Sequence, residues 1–93
     1  MPKYKIHTFI FEAGSDDGAA ARIKMYAPEV STQTIRQYLW VFDFNRESWV
    51  QVEPPLINSL YRGPRISKLF TVCDYLASAQ RLRQLKIPDN YLT

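Results

Sequence analysis

His7 and Cys73 are the one histidine and the one cysteine of this 93-residue chain, and so the only imidazole–thiol pair available to it. Nucleophilic catalysis needs a nucleophile, a base and an orienting group within mutual reach. No motif surrounds either residue. His7 falls in a strand-like run of aromatic and β-branched residues, and Cys73 falls on an apolar helical stripe. The expectation is a packed thiol and a surface imidazole, with no catalytic residue assigned.

Asp16 and Asp17 are adjacent and followed by Gly18. Paired carboxylates can hold a metal or exchange protons. Neighbours at i and i+1 on a helix point apart, however, and Ala19 to Ala21 add no oxygen ligands. A helix start fits them better, because the dipole favours acids in a first turn. A phosphate cradle needs several glycines at set spacing. Here Gly14-Ser15-Asp16-Asp17-Gly18 puts two acids where the phosphate would sit. With a single cysteine, neither an internal disulfide nor a cysteine-rich zinc site can form. No metal and no cofactor is expected.

Two features suit binding rather than chemistry. Trp40 and Trp49 flank the middle of a strand-rich stretch, where aromatics either stack on bases or fill a protein interface. On one long helix, Arg65, Lys68, Arg83 and Lys86 fall within about 60° of arc, with the two pairs roughly 27 Å apart along the axis. Val72, Tyr75 and Ala79 lie between them. Such a strip can bridge phosphates or meet an acidic protein surface. The plainer reading is a solubilising face, with Val72 and Ala79 extending the core contact.

The elements that must position these residues follow from pattern. Lys3 to Phe11 reads as a strand, with Tyr4, Ile6, Thr8 and Ile10 on one face and Lys3, Lys5, His7, Phe9 and Phe11 on the other. Ser15 to Ala27 reads as a helix capped by Ser15 and stopped by Pro28, with Ala19, Ala20, Ile23, Tyr26 and Ala27 on its inner face. Strand is the alternative there, since Ala21, Ile23 and Met25 also alternate with polar neighbours. Thr34 to Phe44 and Ser48 to Val52 read as a β-hairpin, the first strand apolar on both faces and therefore central. Tyr38, Trp40, Phe42 and Phe44 would share one face of it, Leu39, Val41 and Asp43 the other. Pro54-Pro55 ends the sheet, and Leu56 to Tyr61 makes a short helical turn. Ile66 to Lys86 is the longest helix, with Ile66, Leu69, Phe70, Cys73, Leu76 and Ala77 inward and Ser67, Thr71, Asp74 and Ser78 outward.

The fold class is therefore α+β: a small antiparallel sheet of about three strands with helices packed on one face, in the order β-α-β-β-α. The length suits one domain over residues 1–93. Hydrophobic residues make up 46% of the chain, enough for a core and too many for a disordered chain. No apolar run approaches the roughly 20 residues of a membrane span, so no membrane partner is expected. Cysteine usage fits a reducing compartment such as the cytoplasm.

Charge is unevenly spread. Residues 1–53 hold six basic and seven acidic side chains, a balance of −1, and residues 54–93 hold six basic and two acidic, a balance of +4. A basic half can face a polyanion. The net charge of +3 is nevertheless small for a dedicated nucleic-acid binder. The expected function is non-catalytic binding to a protein, a second copy of the chain included. Nucleic-acid binding through the basic C-terminal helix is the alternative.

Overall fold

The computed structural model describes residues 1–54 and 63–84. In chain order the elements are β1 (Lys3–Ile6), β2 (Phe9–Glu12), α1 (Asp16–Lys24), α2 (Thr32–Tyr38), β3 (Leu39–Asp43), β4 (Ser48–Gln51) and α3 (Pro64–Gln84). The expected α+β class and antiparallel sheet are present, with four strands rather than three and the order β-β-α-α-β-β-α. The expected turn at Leu56–Tyr61, and Lys86 at the helix end, lie outside the described residues.

The first departure from the sequence reading is at His7. Instead of one strand, residues 3–12 form a hairpin with a two-residue turn, His7-Thr8, that sets Ile6 opposite Phe9. His7 takes a φ of 54°, a region in which histidine is enriched among non-glycine residues. The turn resolves a conflict. In a continuous strand Phe9 and Phe11 would lie on the face opposite Tyr4 and Ile6. Folding back puts Tyr4 beside Phe11 and Ile6 beside Phe9, so all four bury together while Ile10 faces outward.

Helix α1 starts as its cap residues dictate. Ser15 Oγ accepts from the Gly18 N–H at 3.0 Å, and Asp16 and Asp17 occupy the first turn. Ala19, Ala20, Ile23 and Ala27 are buried as expected. Tyr26 is half exposed, because the helix ends at Lys24 and the chain turns before it. Lys24 Nζ holds that turn by donating to the Pro28 and Val30 carbonyls, each at 2.7 Å.

The second departure is the front of the expected long strand. Residues 32–38 are helix α2, capped by Ser31 Oγ accepting from the Thr34 N–H at 3.1 Å. Singly these residues favour strands. Ile35, Tyr38 and Leu39, however, repeat at helical spacing; Ile35 and Leu39 are fully buried, and Tyr38 packs beside them. Tertiary burial outweighs weak local propensity. Tyr38 consequently leaves the face of Trp40 and Phe42, and its ring meets Phe70 of α3 edge-on at 5.4 Å. Phe44 lies beyond β3 in the following turn.

The sheet order is β2-β1-β3-β4, every neighbour pair antiparallel. The expected pairing of the two hairpin strands holds, with Phe42 opposite Trp49, and β3 is interior as expected. One buried cluster joins Tyr4, Ile6, Phe9, Phe11 and Leu39 of the sheet to Ala19, Ile23, Ile35, Leu69 and Cys73 of the three helices. The helices therefore cover one sheet face. In α3, Ile66, Leu69, Cys73 and Ala77 are buried, while Phe70 and Leu76 are half-buried against the cluster. None of the described helices is long and apolar enough to cross a membrane.

Candidate binding surface

The face turned away from the helices is built by register. Lys5 lies opposite Ile10 and Trp40, Trp40 opposite Gln51, and Phe42 opposite Trp49. Residues paired across strands share a face, so these side chains form one surface. Trp40, Phe42 and Trp49 are half-buried. Phe42 meets Trp49 edge-on at 5.4 Å and Phe44 edge-on at 4.9 Å. Lys5 Nζ stands 4.8 Å from the centre of the Trp49 ring, a cation–π contact. Ile10 and Phe44, 40% and 68% exposed, extend the apolar patch along two edges. Sequence reading picked out Trp40 and Trp49 and placed Phe42 on their face. Lys5 and Ile10 join that surface only through strand pairing.

The basic residues lie elsewhere. Arg65, Lys68 and Arg83 are exposed on α3, which covers the opposite sheet face, so they do not form one surface with Trp40 and Trp49. Lys68 is paired with Glu29 of the α1–α2 connection at 3.6 Å. Val72 and Ala79 are half-buried, while Tyr75 is 71% exposed. A groove of about 580 Å³ opens beside Arg65, between the α1–α2 connection and the start of α3.

The His7 turn is joined to α3 by contacts that no sequence pattern announces. The His7 ring stacks on Phe70 at 4.3 Å, its Nε2 lies 3.2 Å from Asp74 Oδ1, and Thr8 Oγ1 donates to that same oxygen. The hydroxyl points at the carboxylate and not at the imidazole, so this trio lacks the nucleophile–base contact that acyl chemistry uses. Cys73, next in sequence, is fully buried, and burial pushes its thiol up to about 12, with Asp74 adding a smaller push. A thiol so held is neutral and unreactive at neutral pH. Alkylation of the folded protein should accordingly be slow even at pH 8.5 and become fast on unfolding in urea. Rapid labelling of the native chain would mean that the α3 stripe opens.

Asp17 pairs with Arg36 of α2, and Arg36 Nε also lies 3.9 Å from Glu53 Oε2. Asp16 accepts a 2.7 Å bond from the buried Tyr4 hydroxyl, whose acidity is pushed down, to a value of about 12, by burial first and by that bond second. The two carboxylates are thus tied to different elements. Among the described residues, no group of three or more His, Cys, Asp or Glu side chains converges to hold a metal. Compared with known proteins, the chain matches no family model, no curated protein and no solved structure.

Proposed function

We propose that the protein is a non-catalytic binding module that contacts a protein partner through its open sheet face. The observation that carries this is the Trp40–Phe42–Trp49 cluster, three large rings on a face that none of the described helices covers. Aromatics are the side chains that protein interfaces enrich at their centres, because they bury much area with few torsions to freeze. Lys5 and Gln51 sit beside the cluster, as polar groups do beside the core of such a patch.

The second reading is nucleic-acid binding along α3. Its support is the exposure of Arg65 and Arg83 with the exposed Tyr75 between them. Lys68 supports it less, since it is engaged with Glu29.

One comparison separates the two. A Trp40→Gln, Phe42→Thr variant keeps strand-compatible residues but removes the patch. Partner recovery on the immobilised, nuclease-treated chain should fall at least about tenfold, with the circular dichroism of the fold retained. An Arg65→Glu, Arg83→Glu variant, changed at two exposed positions of α3, should keep its partners, and its stability should move by less than about 0.5 kcal/mol. Partners that vanish with nuclease, and with the α3 variant only, would overturn the protein-binding reading in favour of the second.

A further inference from the structure

The β2 edge of the sheet has its acceptors covered and its donors free. Ala13 N–H donating to Pro2 O fixes the phase of the β1–β2 ladder. Phe9 and Phe11 therefore bond inward, and the N–H and C=O groups of Ile10 and Glu12 point outward. Both outward carbonyls are occupied: Gln80 Nε2 donates to Ile10 O at 2.6 Å, and Arg22 Nη1 to Glu12 O at 3.0 Å. Among the described residues nothing accepts from the two outward N–H groups. An added peptide strand would need the covered carbonyls as acceptors. This edge suits a ligand that only accepts.

The edge opens on a shallow cleft of about 710 Å³, lined by Lys3, Arg22 and Arg81 and by one carboxylate, Glu12. Three cations against one anion leave the cleft positive. Lys3 and Glu12 lie opposite each other across the ladder and partly offset one another. Arg22 and Arg81 come from α1 and α3, and both are exposed. Each commits one nitrogen, Arg22 to Glu12 O and Arg81 to Ser78 Oγ at 3.1 Å. The Arg22 guanidinium also stands over the Phe11 ring at 5.3 Å, which holds it at the edge. Among the described residues no carboxylate pairs with either arginine, whereas Arg36, Arg46 and Lys68 each meet one.

We infer that this cleft binds a diphosphate group. Ionised phosphate oxygens accept and do not donate, as the edge requires, and their charge is opposite to that of the cleft. The Ile10 and Glu12 N–H groups lie two residues apart on a strand, about 7 Å. One phosphate is too short to meet both in line, and two linked phosphates straddle them. The uncommitted nitrogens of Arg22 and Arg81 then donate to the outer oxygens, the pairing that guanidinium groups make with phosphate. The cleft is at the β2 end of the sheet and Trp49 at the β4 end, so this site is independent of the protein-binding reading.

The test follows the backbone amides of the full, isotope-labelled chain by NMR as sodium pyrophosphate is added, with sodium chloride holding the ionic strength constant. The Ile10 and Glu12 amides should shift and saturate, while the inward-bonded Phe9 and Phe11 amides move less. Half-saturation should need at least about tenfold less pyrophosphate than orthophosphate. A double Arg22→Gln, Arg81→Gln variant should weaken pyrophosphate binding at least about tenfold. Should that variant misfold, Arg81→Gln alone, at an exposed position, should weaken it at least about threefold. A nucleoside diphosphate that binds tighter than pyrophosphate would assign the group to a nucleotide, and one that binds more weakly would assign it to free pyrophosphate; either result keeps the site. Equal half-saturation by orthophosphate and pyrophosphate, or no saturation below about 10 mM, would overturn the proposal. So would amide shifts of the same size with sodium chloride alone, or unchanged affinity in the folded arginine variants.

Discussion

Leu69→Ala is expected to destabilise the fold by about 2–5 kcal/mol. Leu69 is fully buried in the cluster that joins α3 to the sheet. The loss combines the transfer energy of the deleted carbons with a cavity that neighbours fill only in part. In a domain whose whole stability is on the order of 5–15 kcal/mol, that is a large fraction. Leu76 lies on the same stripe but is only half-buried, so Leu76→Ala should cost less, about 1–2 kcal/mol. Sequence reading expected both to be buried alike; the structure separates them, because the helix leans on the sheet along Leu69, Cys73 and Ala77. Urea unfolding of both variants measures the difference. Equal losses at the two sites, or a loss below about 1 kcal/mol at Leu69, would contradict this packing.

Stability should also fall steeply as pH rises from about 9 to about 12. Two buried acids have their proton affinity raised in the folded state: Cys73 from an ordinary 9.0 to about 12, and Tyr4 from an ordinary 10.0 to about 12. Below pH 9 both states keep these protons, and the stabilisation is fully present. Above it the unfolded chain releases them first while the folded chain retains them, so unfolding gains with each further rise in pH. Each tenfold separation of the ionisation constants corresponds to about 1.4 kcal/mol, and the combined loss reaches several kcal/mol. The physical cause at Cys73 is exclusion of water from the thiolate. At Tyr4 it is burial together with the bond to Asp16, whose negative charge would face a phenolate. Tyr4→Phe should be less stable at pH 7, by about 0.5–1.5 kcal/mol for the lost hydrogen bond. Its further decline between pH 10 and 12 should be shallower than that of the wild type. Parallel stability curves for the two proteins over that range would remove Tyr4 from this account.

Both effects depend on the same cluster, and so does the open face. Burying Tyr4, Ile6, Phe9, Phe11 and Leu39 on one side commits Lys5, Ile10, Trp40, Phe42 and Trp49 to the other, because strand side chains alternate. The aromatic surface is in this sense a consequence of where the helices pack.

The residue pattern alone determined what local physics governs. Ser15 and the two aspartates after it define the start of α1, since an unpaired helix N-terminus needs such groups whatever lies around it. The β3–β4 hairpin follows from two strand-forming runs with a short polar turn between them. The buried side of α3 follows from the helical spacing of Ile66, Leu69, Cys73 and Ala77.

Only the tertiary structure decided the rest. Residues 34–38 have strand-favouring types, yet they end α2 with Ile35 fully buried in the core, because packing energy exceeds propensity differences of a few tenths of a kcal/mol. The turn at His7 carries no glycine or Asn-Gly signal. It forms because the core needs Phe9 and Phe11 beside Tyr4 and Ile6, and stacking on Phe70 with the Asp74 contact holds it. The cover on the β2 carbonyls depends on Gln80 and Arg22 reaching Ile10 and Glu12, 70 and 10 residues away in the chain. Contacts of that separation leave no periodicity to read. They are fixed by where α3 and α1 come to rest on the sheet.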